Sequence, residues 1–83
     1  MTITGNTFKK LREGMCHTPE LMAGVLAMPY ETYREAENNG LKVSPGGFEA
    51  WRLRECLELA VRGGAYSICQ QQAVKEFLDL IPV

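Results

Sequence analysis

Excess charge of either sign is missing from this sequence: nine Lys and Arg against ten Asp and Glu leave a formal net charge of −1. That balance excludes the strong overall attraction to phosphate of a basic protein, so any nucleic-acid footprint rests on local placement. Long apolar runs are missing too. Each is broken by Gly, Glu or Arg well short of a spanning length, and the start of the chain has no basic segment followed by an apolar one, so neither a membrane span nor a secretory leader is expected. Cysteine is sparse and odd in number: Cys16, Cys56 and Cys69 lack CxxC spacing, and the single histidine, His17, adjoins Cys16. This is no recognisable metal-ligand pattern. Free thiols in a reducing cytoplasm are the simplest account, and no cofactor, metal or small-molecule ligand is implied. Adjacent side chains rarely point together and no acid orients the Cys16-His17 pair, so an enzyme is not expected. β-branched residues occur singly instead of in alternating runs, which leaves few candidate strands and points to an all-α chain.

What the sequence does contain is helix punctuation. Its 83 residues, 46% hydrophobic, suffice for one small core. Residues 1–6 read as an unpatterned arm. Asn6 or Thr7 is expected to cap a first helix, "FKKLREGM", whose inner face is Phe8, Leu11 and Met15. Thr18 followed by Pro19 is a cap and a first-turn proline, with Glu20 complementing the helix's positive end. The stripe Met22, Ala23, Val25, Leu26 continues to about Met28, where Pro29 ends one helix and opens another. That third helix, "PYETYREAENNG", stops at Asn38-Asn39-Gly40. Ser44-Pro45 repeats the cap-then-proline signature before the longest helix, "FEAWRLRECLELAVR", for which Phe48, Trp51 and Leu59, with Cys56 and Ala60, are the expected inner face. Gly63-Gly64 interrupts the pattern, and residues 63–83 read as a separate C-terminal helix with a strong apolar edge.

The two helices from Thr18 to Asn38 fit a helix-turn-helix by position: Ala23 allows close approach, Leu26 faces the core, Ala27 stands at the corner, and Tyr33 and Ala36 point the next helix inward. This order, with the exit "ENNGLKVSP", resembles the lambda-repressor-like (XRE) family over about Phe8 to Arg62. The sequence departs from that pattern at Ala27, where the family usually has Gly, at Pro29, which replaces a Ser or Thr cap, and at Pro19, which replaces a phosphate-gripping polar residue. The resemblance implies an all-α, five-helix fold with its helix-turn-helix DNA-binding domain over residues 7–62, the helix after the corner entering a major groove of double-stranded DNA.

On that helix, Tyr30, Glu31, Arg34 and Glu35 lie opposite the inward positions and are the candidate base readers. Glu can accept from a cytosine amino group, Arg34 can bind guanine through two hydrogen bonds, and Tyr30 can meet a thymine methyl. Glu31 and Arg34 are expected to pair, Thr32 and Asn38 to hold the DNA backbone, and Lys42 to add a phosphate contact. Glu37 matches a bracing position of the family. The cluster Lys9, Lys10, Arg12 and the pair Arg52, Arg54 read as solvated helix faces, and Trp51 as core. Residues 7–62 carry eight Lys or Arg against eight Glu, so a single module gains little from counterion release and two copies are needed. A homodimer joined through Val74, Phe77, Leu78 and Ile81 of the last helix is the expectation. The sequence thus reads as a small repressor or autorepressor acting on an inverted repeat. Its size and the resemblance imply the format found in phages and other mobile elements. The alternative is a protein-binding module, antitoxin-like or a phage inhibitor, that docks through the acidic third helix.

Overall fold

The computed structural model describes residues 1–81. Along the chain come β1 (Thr2–Ile3), α1 (Gly5–Gly14), α2 (Pro19–Val25), α3 (Tyr30–Asn39), β2 (Leu41–Lys42), α4 (Phe48–Gly63) and α5 (Ile68–Leu80). Five helices carry the architecture, as an all-α chain requires. The first six residues, however, are not a free arm. Thr2 pairs with Lys42 and Ile3 with Leu41 in an antiparallel clasp, the Val43 amide donates to the Met1 carbonyl at 2.7 Å, and Ile3 is buried. Strands of two residues are too short to leave a period-2 signature. The cap of α1 also differs from expectation: Thr4, not Asn6 or Thr7, accepts the Thr7 amide at 3.3 Å. The helix then begins at Gly5, where a Cβ would collide with the backbone carbonyl of Glu37. Absence of a side chain there lets α1 start directly against α3.

Around the corner between α2 and α3 the sequence is read closely. Thr18 accepts the Leu21 amide at 3.2 Å, and Pro19 opens α2 without sacrificing a hydrogen bond. The helix ends at Val25, earlier than Met28, because the chain turns through Ala27 at φ 55. The Met28 amide then donates back to Ala23 at 2.9 Å, and Pro29, with φ −59, leads into α3. An alanine in left-handed geometry costs roughly 1–2 kcal/mol. Part of that cost is offset from α4, where Arg52 donates from Nη1 to the Ala27 carbonyl at 3.1 Å while its Nη2 holds Glu49 at 2.8 Å. Arg52 is therefore a brace and not a solvated charge. Arg54 likewise donates to the Leu78 carbonyl at 3.3 Å. Gly40, at φ 82, closes α3 as its sequence announces.

Two expectations for α4 are corrected. Ser44-Pro45 forms a turn, closed by the Gly47 amide on the Ser44 carbonyl at 2.9 Å, and Gly47 is the residue that precedes the helix. The helix also faces the other way. Ala50, Leu53 and Leu57 are buried, whereas Phe48, Trp51 and Leu59 are 68%, 58% and 58% exposed. Cys56 and Ala60 are only partly buried. The reason is volume: Phe8, Met15, Met22 and Tyr33 already fill the centre, so α4 approaches with Leu and Ala and its bulkier residues stay outside.

Helix α5 completes the core instead of standing apart as a dimerisation element. Ser67 and Gln70 form a reciprocal capping box, and Gln70 also donates from Nε2 to the Met15 carbonyl at 2.7 Å, tying the start of α5 to the end of α1. The Phe8 ring meets Tyr33 edge-on at 6.3 Å and Phe77 at 5.4 Å, linking α3, α1 and α5 through one aromatic row. Val74, Phe77 and Ile81 are buried within this single chain. They cannot form the dimer contact expected of them; of that set only Leu78 keeps partial exposure. The apolar edge is explained by the core of the monomer. Replacing Ala27 with Gly removes the left-handed penalty, partly offset by greater freedom of the unfolded chain, and is expected to stabilise the fold by about 1 kcal/mol. Thermal unfolding should then show a Tm higher by about 4–8 °C; an unchanged or lower Tm would show that the Arg52 contact already absorbs the strain.

Candidate functional site

Helix α3 is positioned by what it buries. Tyr33 and Ala36 point into the core, which turns Tyr30, Glu31, Arg34, Glu35 and Asn38 outward on one face, all exposed, with Thr32 exposed at its flank. Lys42 is exposed beyond the helix, and its place is set by pairing with Thr2 in the clasp. The structure therefore brings the candidate side chains of α3 together on one surface. It also shows how they are held. Arg34 stands over the Tyr30 ring, 6.0 Å from its centroid, so the expected Glu31–Arg34 pair does not form. The i, i+4 spacing stacks Arg34 back onto Tyr30, where a cation-π contact competes with an exposed ion pair worth little more. Glu35 accepts from Asn39 Nδ2 at 2.7 Å. Among the described residues, Glu31, Thr32 and Asn38 have no side-chain hydrogen-bond partner. The surface thus presents a cation resting on an aromatic ring, one free and one tethered carboxylate, and two free polar side chains.

The underside of α3 is fixed by charge. Arg12 of α1 clamps Glu37 with a fork: Nη2 donates to Oε1 at 3.0 Å and Nε to Oε2 at 3.2 Å. Both side chains are largely buried, at 17% and 12% exposure. Arg12 is therefore no solvated member of the Lys9, Lys10 cluster, and Glu37 is the brace that its position suggested. Burial pushes the Glu37 carboxyl up, but the hydrogen bonds of Arg12, the neighbouring Tyr33 hydroxyl and the Arg12 charge together outweigh it and leave the group below its ordinary pKa. The same hydrogen bonds push the Arg12 guanidinium up. Beside them the buried Tyr33 hydroxyl has no hydrogen bond of ordinary geometry; burial first, then the nearby carboxylate, pushes its pKa far up. Tyr33 stays protonated under all ordinary conditions.

Two contacts near this surface have no counterpart in sequence reasoning. One is Arg52 on Ala27; the i, i+3 spacing from Glu49 is readable, but the carbonyl at the α2–α3 corner is not. The other joins His17 and Tyr66, with Nε2 and Oη 2.9 Å apart, which pins the loop before α2 to the linker before α5. Among the described residues no group of three or more His, Cys, Asp and Glu is arranged to hold a metal. No helix there is long and apolar enough to cross a membrane. Comparison with protein-family models, curated proteins and solved structures finds no match.

Replacing Glu37 with Gln leaves Arg12 without its anionic partner and is expected to cost about 2 kcal/mol near pH 7. The sign with pH follows from the direction of the shift. A carboxyl whose folded pKa is depressed contributes stability above its unfolded pKa and loses it as pH falls through the folded value. Urea unfolding of the native chain should therefore weaken below about pH 4.3, and Glu37→Gln should flatten that acid dependence. Parallel acid profiles for the two chains would rule out this pair as the source.

Proposed function

We propose that this chain is a sequence-specific DNA-binding regulator of the lambda-repressor-like kind, with α2 and α3 as its helix-turn-helix. The observation that carries the reading is the outer face of α3: Tyr30, Glu31, Arg34, Glu35 and Asn38 stand exposed on a helix whose other side is locked by Tyr33, Ala36 and the Arg12–Glu37 fork. A rigidly backed, polar helix face with a guanidinium held in place is what base-edge recognition in a major groove requires. Arg34, laid over Tyr30, is preordered to place two donors on one guanine. Acidic neighbours lower general affinity for phosphate and raise selectivity, because an ill-fitting sequence leaves a carboxylate near the DNA backbone without an amino group to accept from. Thr32, Asn38 and Lys42 supply the flanking contacts that set register.

The near-neutral charge requires a pair of modules, so the operating form in this reading is a homodimer on an inverted repeat, acting by occupying a promoter. The unpartnered carboxylate of Glu31 favours a second reading, in which this face docks on a basic partner protein. A gel shift against a random duplex pool separates them, since DNA binding shows a steep salt dependence and enriches one sequence, while a protein-docking face does neither.

Arg34→Ala is expected to lower specific affinity by about 1–3 kcal/mol and relax preference at one base pair, leaving the helical circular dichroism unchanged. Equal loss on every sequence would make Arg34 a phosphate contact. Glu35→Gln should raise non-specific binding and blur selectivity; a variant indistinguishable from the native chain in both would remove this face as the reader.

A further inference from the structure

With Val74, Phe77 and Ile81 spent on the core, three large apolar side chains, Phe48, Trp51 and Leu59, stay exposed on the outside of α4. Phe48, Trp51, Glu55, Leu59 and Arg62 recur at helical spacing and fall within about 80° of one another around the axis. Phe48 and Trp51 already stack, with ring centroids 5.8 Å apart and planes tilted by 35°. Leu59 continues the stripe towards Arg62, which has no salt-bridge or hydrogen-bond partner among the described residues. An apolar stripe left in water along one helix face, rimmed by polar residues, is a feature of interaction surfaces.

We propose that this stripe is the homodimer contact, formed by a second copy of α4 crossing antiparallel about a two-fold axis near Glu55. The proposal rests on the DNA-binding reading for its biological purpose, since that reading demands two modules. It rests on the stripe itself for its partner. One acid and one base in an apolar row select against a strongly charged partner and suit another near-neutral amphipathic helix. Antiparallel crossing places Leu59 of each copy against the aromatic pair of the other and sets Arg62 over those rings, where a cation is attracted to the ring faces. The aromatic end and the aliphatic, cationic end are thus complementary to each other, as a two-fold contact requires. Glu55 meets its own copy at the axis, a like-charge contact that keeps the association weak. A contact one helix wide buries less than the ~800 Å² per partner of a standard stable interface, so a micromolar dimer is the natural consequence.

Trp51 is the only tryptophan in the chain, so its fluorescence reports this contact directly. On dilution from hundreds of micromolar, sedimentation should show the mass halving, and Trp51 emission should shift to longer wavelength with the same midpoint. Leu59→Glu should weaken association at least about 30-fold with unchanged circular dichroism. Phe48→Ser, a milder change at the other end, should weaken it as well, and Glu55→Gln should tighten it. A chain that stays monomeric throughout overturns the proposal, as does a dimer whose Trp51 emission remains that of a water-exposed indole or whose midpoint ignores Leu59→Glu and Phe48→Ser. A dimer with these signatures that shifts no DNA refutes the DNA-binding reading and leaves this contact standing. Two copies binding one operator with Trp51 still water-exposed refute the contact and leave the reading.

Discussion

Helix α3 has little to hold it in place by itself: ten residues, no side-chain cap at its start, and an outer face that is almost entirely polar. Its position is imposed from outside, by the forked pair between Arg12 and Glu37 and by Phe8 set edge-on against Tyr33. The two contacts are complementary in kind. Aromatic packing sets the depth of the helix but tolerates some rotation about the helix axis. A two-pronged hydrogen bond resists rotation, because turning α3 moves both carboxylate oxygens off their donors. The direction in which Tyr30 and Arg34 face is therefore decided on the opposite side of the helix, by a residue of α1.

The corner before α3 shows a different balance. Left-handed geometry at Ala27 and a proline at position 29 fix the angle at which α2 hands over to α3. Arg52 reaches across from α4 to hold the carbonyl of the strained residue. A single guanidinium thus couples the corner to the start of α4, immediately beside Trp51 of the exposed aromatic pair. The surface proposed to read DNA and the surface proposed to pair two chains are linked through adjacent residues of one helix, Trp51 and Arg52.

Local signals made much of this legible in the sequence. Thr18-Pro19 and Gly40 act through residues whose backbone preferences are strong and short-range, and they lie where expected. Met22, Leu26, Tyr33 and Ala36 follow a period that leaves one inner face, and the structure buries all four. Helix α4 is ambiguous in the sequence because it is apolar on two sides. Periodicity proposes both faces, and ranking them by side-chain size selects Phe48 and Trp51, whereas close helix packing favours Ala50, Leu53 and Leu57. In α5 an apolar edge suits a dimer contact and a core wall equally well, and here it is the wall of the core. The β1–β2 clasp and the start of α1 at Gly5 are invisible for another reason: each depends on distant chain, Leu41 and Lys42 or the backbone of Glu37, that no local pattern connects to the first residues.

The aromatic row through Phe8 has a consequence for how the protein is made. Phe8 and Leu11 lie under α5, which leaves the ribosome long after α1. Until it arrives, a nascent chain holding α1 to α4 displays that apolar patch with nothing to cover it, and the Met15 carbonyl waits for Gln70. Translation at about 5–20 residues per second leaves the patch open for some seconds, long enough for chaperones or aggregation to compete with folding. A ribosome stalled before Ser67 would hold a chain with all of its proposed reading surface synthesised and a hydrophobic core still open on one side.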